Sequence, residues 1–111
     1  MKLHWADVDI ATYGAKSRKV MLPMRILADP TETMGIYKDN GDGYDRYIVS
    51  HIPTGYKVAG TQTQRAAREI IGRLLALRID WRETNPDKLR SSLSGSAHGS
   101  VMEIINDYRG R

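Results

Sequence analysis

An antiparallel β-sheet of about five strands packed against one long α-helix, with short C-terminal helices, is the α+β fold this sequence predicts. Three observations predict it. Val8, Ile10 and Thr12 alternate with Asp9, Ala11 and Tyr13, the period of two that marks a half-buried strand. Two tight-turn signals, 39–43 and 53–55, separate runs rich in Tyr, Ile and Val. From Gln62 to about Arg82 most residues are good helix formers.

The elements follow in order. Leu3 and Trp5 either start a strand or plug the core. After the alternating stretch, Gly14 and the cluster Lys16, Ser17, Arg18, Lys19 interrupt the pattern. Val20 to Leu27 is a second apolar run. Pro23 inside it cannot donate to a ladder, which predicts an edge or bulged strand. Asp29 to Thr33 reads as a polar loop or a single helical turn.

Ile36 to Lys38, Tyr44 to Ile52 and Tyr56 to Ala59 then read as a three-stranded meander. The first turn is Asp39-Asn40-Gly41-Asp42-Gly43, whose residues tolerate positive φ. The second is Pro53-Thr54-Gly55, with proline set for the first corner.

Thr61 and Gln64 have capping-box spacing at the head of the long helix. Stepping about 100° per residue from Arg65, Ala66, Ala67, Ile70, Ile71, Leu74, Leu75, Leu77 and Trp81 share one broad apolar face. Asn85-Pro86-Asp87 is a helix-start signal for a short helix to about Leu93. Residues 1–93 are thus expected to form a single α+β domain. Residues 94–100 read as a Ser/Gly-rich linker. Residues 101–111 hold a short amphipathic helix, with Ser100 and Glu103 as its capping box. That helix either folds back onto the domain or reaches a second copy and makes a homodimer.

The chain has 111 residues, room for one domain and little more. Without cysteine, disulfides, thiolate metal sites and thiol catalysis are excluded. No apolar run approaches the ~20 residues of a membrane span, and no signal-peptide pattern opens the chain. A cytoplasmic protein with no membrane partner is the expectation.

Charge sharpens the question of partners. There are 17 Lys+Arg against 13 Asp+Glu, for a formal net charge of +4. Most of that excess lies between residues 65 and 90, on and just after the long helix. Its solvent face interleaves Arg65, Arg68 and Arg73 with Glu69, Asp80 and Glu83, and both Arg65–Glu69 and Glu69–Arg73 stand at i,i+4. A nucleic-acid helix should present cations without such neighbours. Arg78 differs, because it falls within the apolar face. There its stem snorkels to the edge, or it meets a carboxylate such as Asp7, Asp9, Asp45 or Asp107, or it faces a partner.

The basic loop is the least neutralised cluster, since nothing acidic lies between Asp9 and Asp29. Lys16, Arg18 and Lys19, joined by Arg25, are therefore the first choice for phosphate. Tyr44, Arg46 and Lys57 in the meander suit base stacking or a protein interface, where Tyr and Arg are enriched.

Catalytic signals are sparse. His4, His51 and His98 have no i,i+4 partner, and P-loop, G-x-G-x-x-G and G-x-S-x-G patterns are absent. The acidic turn after Lys38 lacks the oxygens and the final Glu of a calcium loop. No cofactor, metal or catalytic residue is expected.

The leading expectation is a small non-catalytic binding protein acting on a nucleic acid or nucleoprotein complex through Lys16, Arg18, Lys19, Arg25, Tyr44, Arg46, Lys57 and Arg78. One alternative is a protein-binding inhibitor or adaptor, such as a phage or mobile-element accessory protein that blocks a host enzyme or defence complex. The other is a small hydrolase, for which His51 would be needed.

Overall fold

The alternating stretch near the N-terminus is one arm of a long hairpin. Strand β1 (His4–Tyr13) pairs antiparallel with β2 (Lys19–Ala28), in register from His4 opposite Ala28 to Tyr13 opposite Lys19. The computed structural model describes residues 1–13, 18–39, 41 and 43–111. Lys16, and with it most of the loop that joins these strands, lies outside the described residues.

Three shorter strands complete the sheet: β3 (Met34–Lys38), β4 (Tyr47–His51) and β5 (Lys57–Thr61). The five strands lie in chain order, each antiparallel to the next. β2 is therefore not an edge strand. It meets β3 only at Leu27 and Ala28, however. Pro23 sits where β2 has a neighbour on one side alone, so its missing N–H is tolerated.

The loop between β2 and β3 is held by a buried carboxylate. Asp29 accepts hydrogen bonds from Thr33 N and Met34 N, both at 2.8 Å, from Thr31 N at 3.0 Å, and from the Thr31 hydroxyl. Burial opposes ionisation of Asp29, but these donors outweigh it and hold the carboxyl below its usual value. Glu32 takes the left-handed conformation, φ 56°, that lets the chain reverse there.

Helix α1 (Gln64–Leu75) packs on one face of the sheet. Ala66, Ala67, Ile70, Ile71 and Leu74 are buried against Met34, Ile36, Val49 and Ala59, as the apolar face predicts. The long helix to Arg82 is corrected: α1 has 12 residues and stops at Leu75. Its N-cap is Thr63, whose side chain accepts from Ala66 N, rather than Thr61. At the other end the Trp81 indole donates to the Leu74 carbonyl at 3.0 Å. The chain folds back to cap the helix instead of extending it. Trp81 is buried as predicted, but from beyond the helix.

Helix α2 (Pro86–Ser92) starts at Asn85, whose side chain accepts from Asp87 N and Lys88 N. Helix α3 (Gly95–Asp107) begins within the stretch read as a Ser/Gly linker. Ser94 caps it by accepting from Ala97 N, so residues 95–100 are its first turns and Ser100 is not the cap. α3 folds back. Val101, Ile104 and Tyr108 join the core with α1, and Arg73 pairs with Asp107 at 2.8 Å rather than with Glu69. The side chains expected to meet a second copy are thus used within the chain.

The sheet curls. Ala11 N donates to the Gly55 carbonyl at 2.8 Å, which joins β1 to the turn between β4 and β5. In a flat sheet β1 and β4 would be about 14 Å apart, three strand spacings. Ile26, Ala28 and Ile48, on the face away from α1, are accordingly buried without a helix above them. Among the described residues, no helix is long and apolar enough to cross a membrane.

Candidate functional site

Hairpin length decides what is left uncovered. β1 and β2 have 10 residues each, twice the length of their neighbours, and β3 supports only the last two residues of β2. The remainder is a two-stranded ribbon. On it Leu22 is 47% exposed, Met21 42% and Val20 40%, and Trp5, 59% exposed, stands at the hairpin's other end opposite Leu27. Apolar side chains this large stay in water only where no layer covers them.

The turn at Gly55 meets the ribbon closely. A Cβ at Gly55, φ +75°, would stand 2.5 Å from Met21 Cε and 2.8 Å from the Asp9 carbonyl. Only glycine admits this approach together with that backbone conformation. The turn at Gly55 therefore seats the ribbon, and the Ala11–Gly55 hydrogen bond holds it there.

The predicted cations do not form one surface. Lys19 donates to the Tyr56 hydroxyl at 2.8 Å and lies 4.7 Å from that ring's centroid. Lys57 follows Tyr56 in the chain, but it is paired with Asp45 at 3.2 Å. Tyr44 and Arg46, both exposed, flank this same Asp45. Lys19 is thus engaged by Tyr56 and Lys57 by Asp45, in two separate contacts.

Arg25 stands apart. It lies six residues along β2 from Lys19, about 20 Å at strand rise. Asp9 and Asp7 occupy β1 on the same ribbon face, opposite Pro23 and Arg25. Its guanidinium stacks over Trp5 at 5.8 Å. Arg18 is exposed just before β2. Arg78 is corrected: it lies past the end of α1, is exposed, and has no ion pair among the described residues. The apolar face it was assigned to ends before it.

His51 is buried, and both ring nitrogens are engaged. Nε2 donates to the Trp81 carbonyl at 2.5 Å, which leaves Nδ1 to accept from the Thr54 hydroxyl at 2.8 Å. Burial lowers its pKa, opposed by the Trp81 hydrogen bond, so the ring is held neutral. It ties the β4–β5 turn to the segment after α1. Sequence reading gave His51 no such role, since Trp81 lies 30 residues away and no local pattern links them.

Among the described residues, no three His, Asp or Glu side chains assemble as a metal-ligand group. Gly41 N donates to Asp39 at 2.9 Å, a local turn contact of the acidic loop. Compared with protein-family models, curated proteins and solved structures, the chain matches none.

Proposed function

We propose that this protein is a non-catalytic binding protein, and that its target is another protein, engaged through the β1–β2 ribbon. The observation that carries this reading is the run Val20, Met21 and Leu22, all exposed where β2 has only β1 beside it, with exposed Trp5 at the other end of the same hairpin. Burying them against a partner stabilises a complex by roughly 25 cal/mol per Å² of apolar surface. Trp, Met and Arg are also the residue types enriched in protein interfaces, and Arg25 stacked on Trp5 provides such a pair. This is the inhibitor or adaptor reading, with a cytoplasmic setting.

A nucleic-acid target would draw on Arg18, Lys19 and Arg25. That reading asks for a run of cations without acids between them. Asp7 and Asp9 stand between Lys19 and Arg25 on the ribbon, and Asp45 neutralises Lys57.

The test compares two variants of the tagged protein in lysate from its source cells. A partner retained at high salt by the wild type, lost by Leu22→Asp and kept by Arg18→Gln/Lys19→Gln is the expected result. The opposite result is retention of no protein, with binding to random oligonucleotides that falls by ~10³ or more between 50 and 200 mM salt. It would replace this reading with the nucleic-acid one.

A further inference from the structure

Helix α2 has seven residues and buries none of them. A helix so short has little stability of its own. Its Asn85 cap satisfies the first amides, and its Leu89 packs on the edge of the core but stays only half-buried. Leu89 and Leu93 face Val58 of β5 and Val101 and Ile105 of α3 across a cleft of about 340 Å³. That is the lower end of the ~300–1,000 Å³ typical of small-molecule sites.

The cleft is graded in polarity. Its walls are largely apolar, with Val101 buried and Val58, Leu89, Leu93 and Ile105 half-buried, and the buried His51 and Thr54, hydrogen-bonded to each other, also line it. Lys57, Arg90 and His98 line it and are exposed, so they stand at its mouth. No Asp or Glu lines it among the described residues. Lys57 is already paired with Asp45. Arg90 has no ion pair among the described residues and is the cation left to meet a ligand.

We infer that this cleft binds a small amphipathic carboxylate: a medium-length aliphatic or aromatic body ending in one anionic group. The body lies on Leu89, Leu93 and Val101, replacing water with apolar contact. The carboxylate meets Arg90 at the mouth, where a guanidinium fork matches two carboxylate oxygens. A cationic amphiphile finds no acid there. A highly charged phosphate ester would have to place several charges between largely apolar walls, with Arg90, among the described residues, as the one unpaired arginine at the mouth. An occupant also adds packing against Leu89, so binding favours an ordered α2.

Decanoate, below its micelle-forming concentration, is the probe, with decanol and decylamine as neutral and cationic counterparts. Calorimetry reads affinity, and amide hydrogen exchange of residues 86–93 reads the order of α2. Decanoate is expected to saturate one site, to slow exchange in α2, and to bind at least tenfold more tightly than decylamine. Arg90→Gln, an exposed substitution, is expected to weaken decanoate by roughly tenfold or more and decanol little, the size of a lost charge-assisted contact. Leu93→Trp is expected to fill the cleft and abolish binding of both. Decylamine as tight as decanoate, unsaturable uptake, or unchanged decanoate affinity in Arg90→Gln would each overturn the assignment.

Discussion

The two halves of the sheet use similar residues to different ends. β4 is five residues long and buries all but its first. β2 is twice as long, just as apolar, and leaves its first five residues exposed. Ile48-Val49 and Val20-Met21-Leu22 differ little in chemistry. They differ in cover: α1 and the curl of the sheet enclose the first pair, and among the described residues the second meets only the Gly55 turn, at Met21. Burial here follows the layer above a strand, and apolar content alone does not predict it. The same contrast separates what stabilises the molecule from what it offers to a partner.

The sharpest way to break this comparison is to remove apolar volume from the covered half. Ile70→Ala empties a fully buried site under α1 and is expected to cost about 2–5 kcal/mol. Urea unfolding monitored through Trp81 measures it. A cost below about 1 kcal/mol, the usual range for surface changes, would mean that the α1 layer is not the main core.

The joint between the halves comes next. Gly55→Ala adds a methyl group at φ +75°, against the Asp9 carbonyl and Met21 Cε. About 1–3 kcal/mol is expected from backbone strain at such a position. The loss should appear as faster amide exchange at Ala11, with exchange in α1 little changed. Equal acceleration in α1 would show that ribbon and body unfold as one unit.

How much of this was legible beforehand depends on the range of the cause. The alternation at 8–13 marked β1, and Asn85-Pro86 marked α2, because those signals are local. The end of α1 was not legible. Ala76, Leu77 and Arg78 contain no helix breaker, and the stop comes from Trp81 capping Leu74 while His51 holds the Trp81 carbonyl. The start of α3 was masked by Ser and Gly, whose propensity is overridden once Val101 and Ile104 pack on the core.

The candidate site shows the same limit. Each cation was visible as a residue, yet the Asp45–Lys57 pairing spans twelve positions and depends on how β4 meets β5. The alternation of the hairpin was visible too. Its lack of cover was not, because cover depends on where β3 ends.

A smaller effect distinguishes the halves by pH. His51 is in the covered half, and burial holds its pKa below the ordinary 6.5. The unfolded chain therefore takes the proton first as pH falls. Its contribution to stability is full above pH 6.5 and declines as pH drops from 6.5 toward the folded value. Denaturant midpoints measured from pH 7.5 to 5 should fall in the wild type and flatten over this window in His51→Gln. A slope that survives the substitution would place the titrating group elsewhere.

The smallest expected change is in the ribbon itself. Leu22 is 47% exposed, and truncating it removes contacts that are already half solvent. Leu22→Ala should shift stability by no more than about 0.5 kcal/mol, the range of surface substitutions. If the same change lowers affinity for the retained protein partner by tenfold, a difference of about 1.4 kcal/mol, then Leu22 contributes more to the complex than to the fold. A cost comparable to that of Ile70→Ala would instead mean that Leu22 is part of the core. The ribbon would then be one more layer of the body, without a separate binding role.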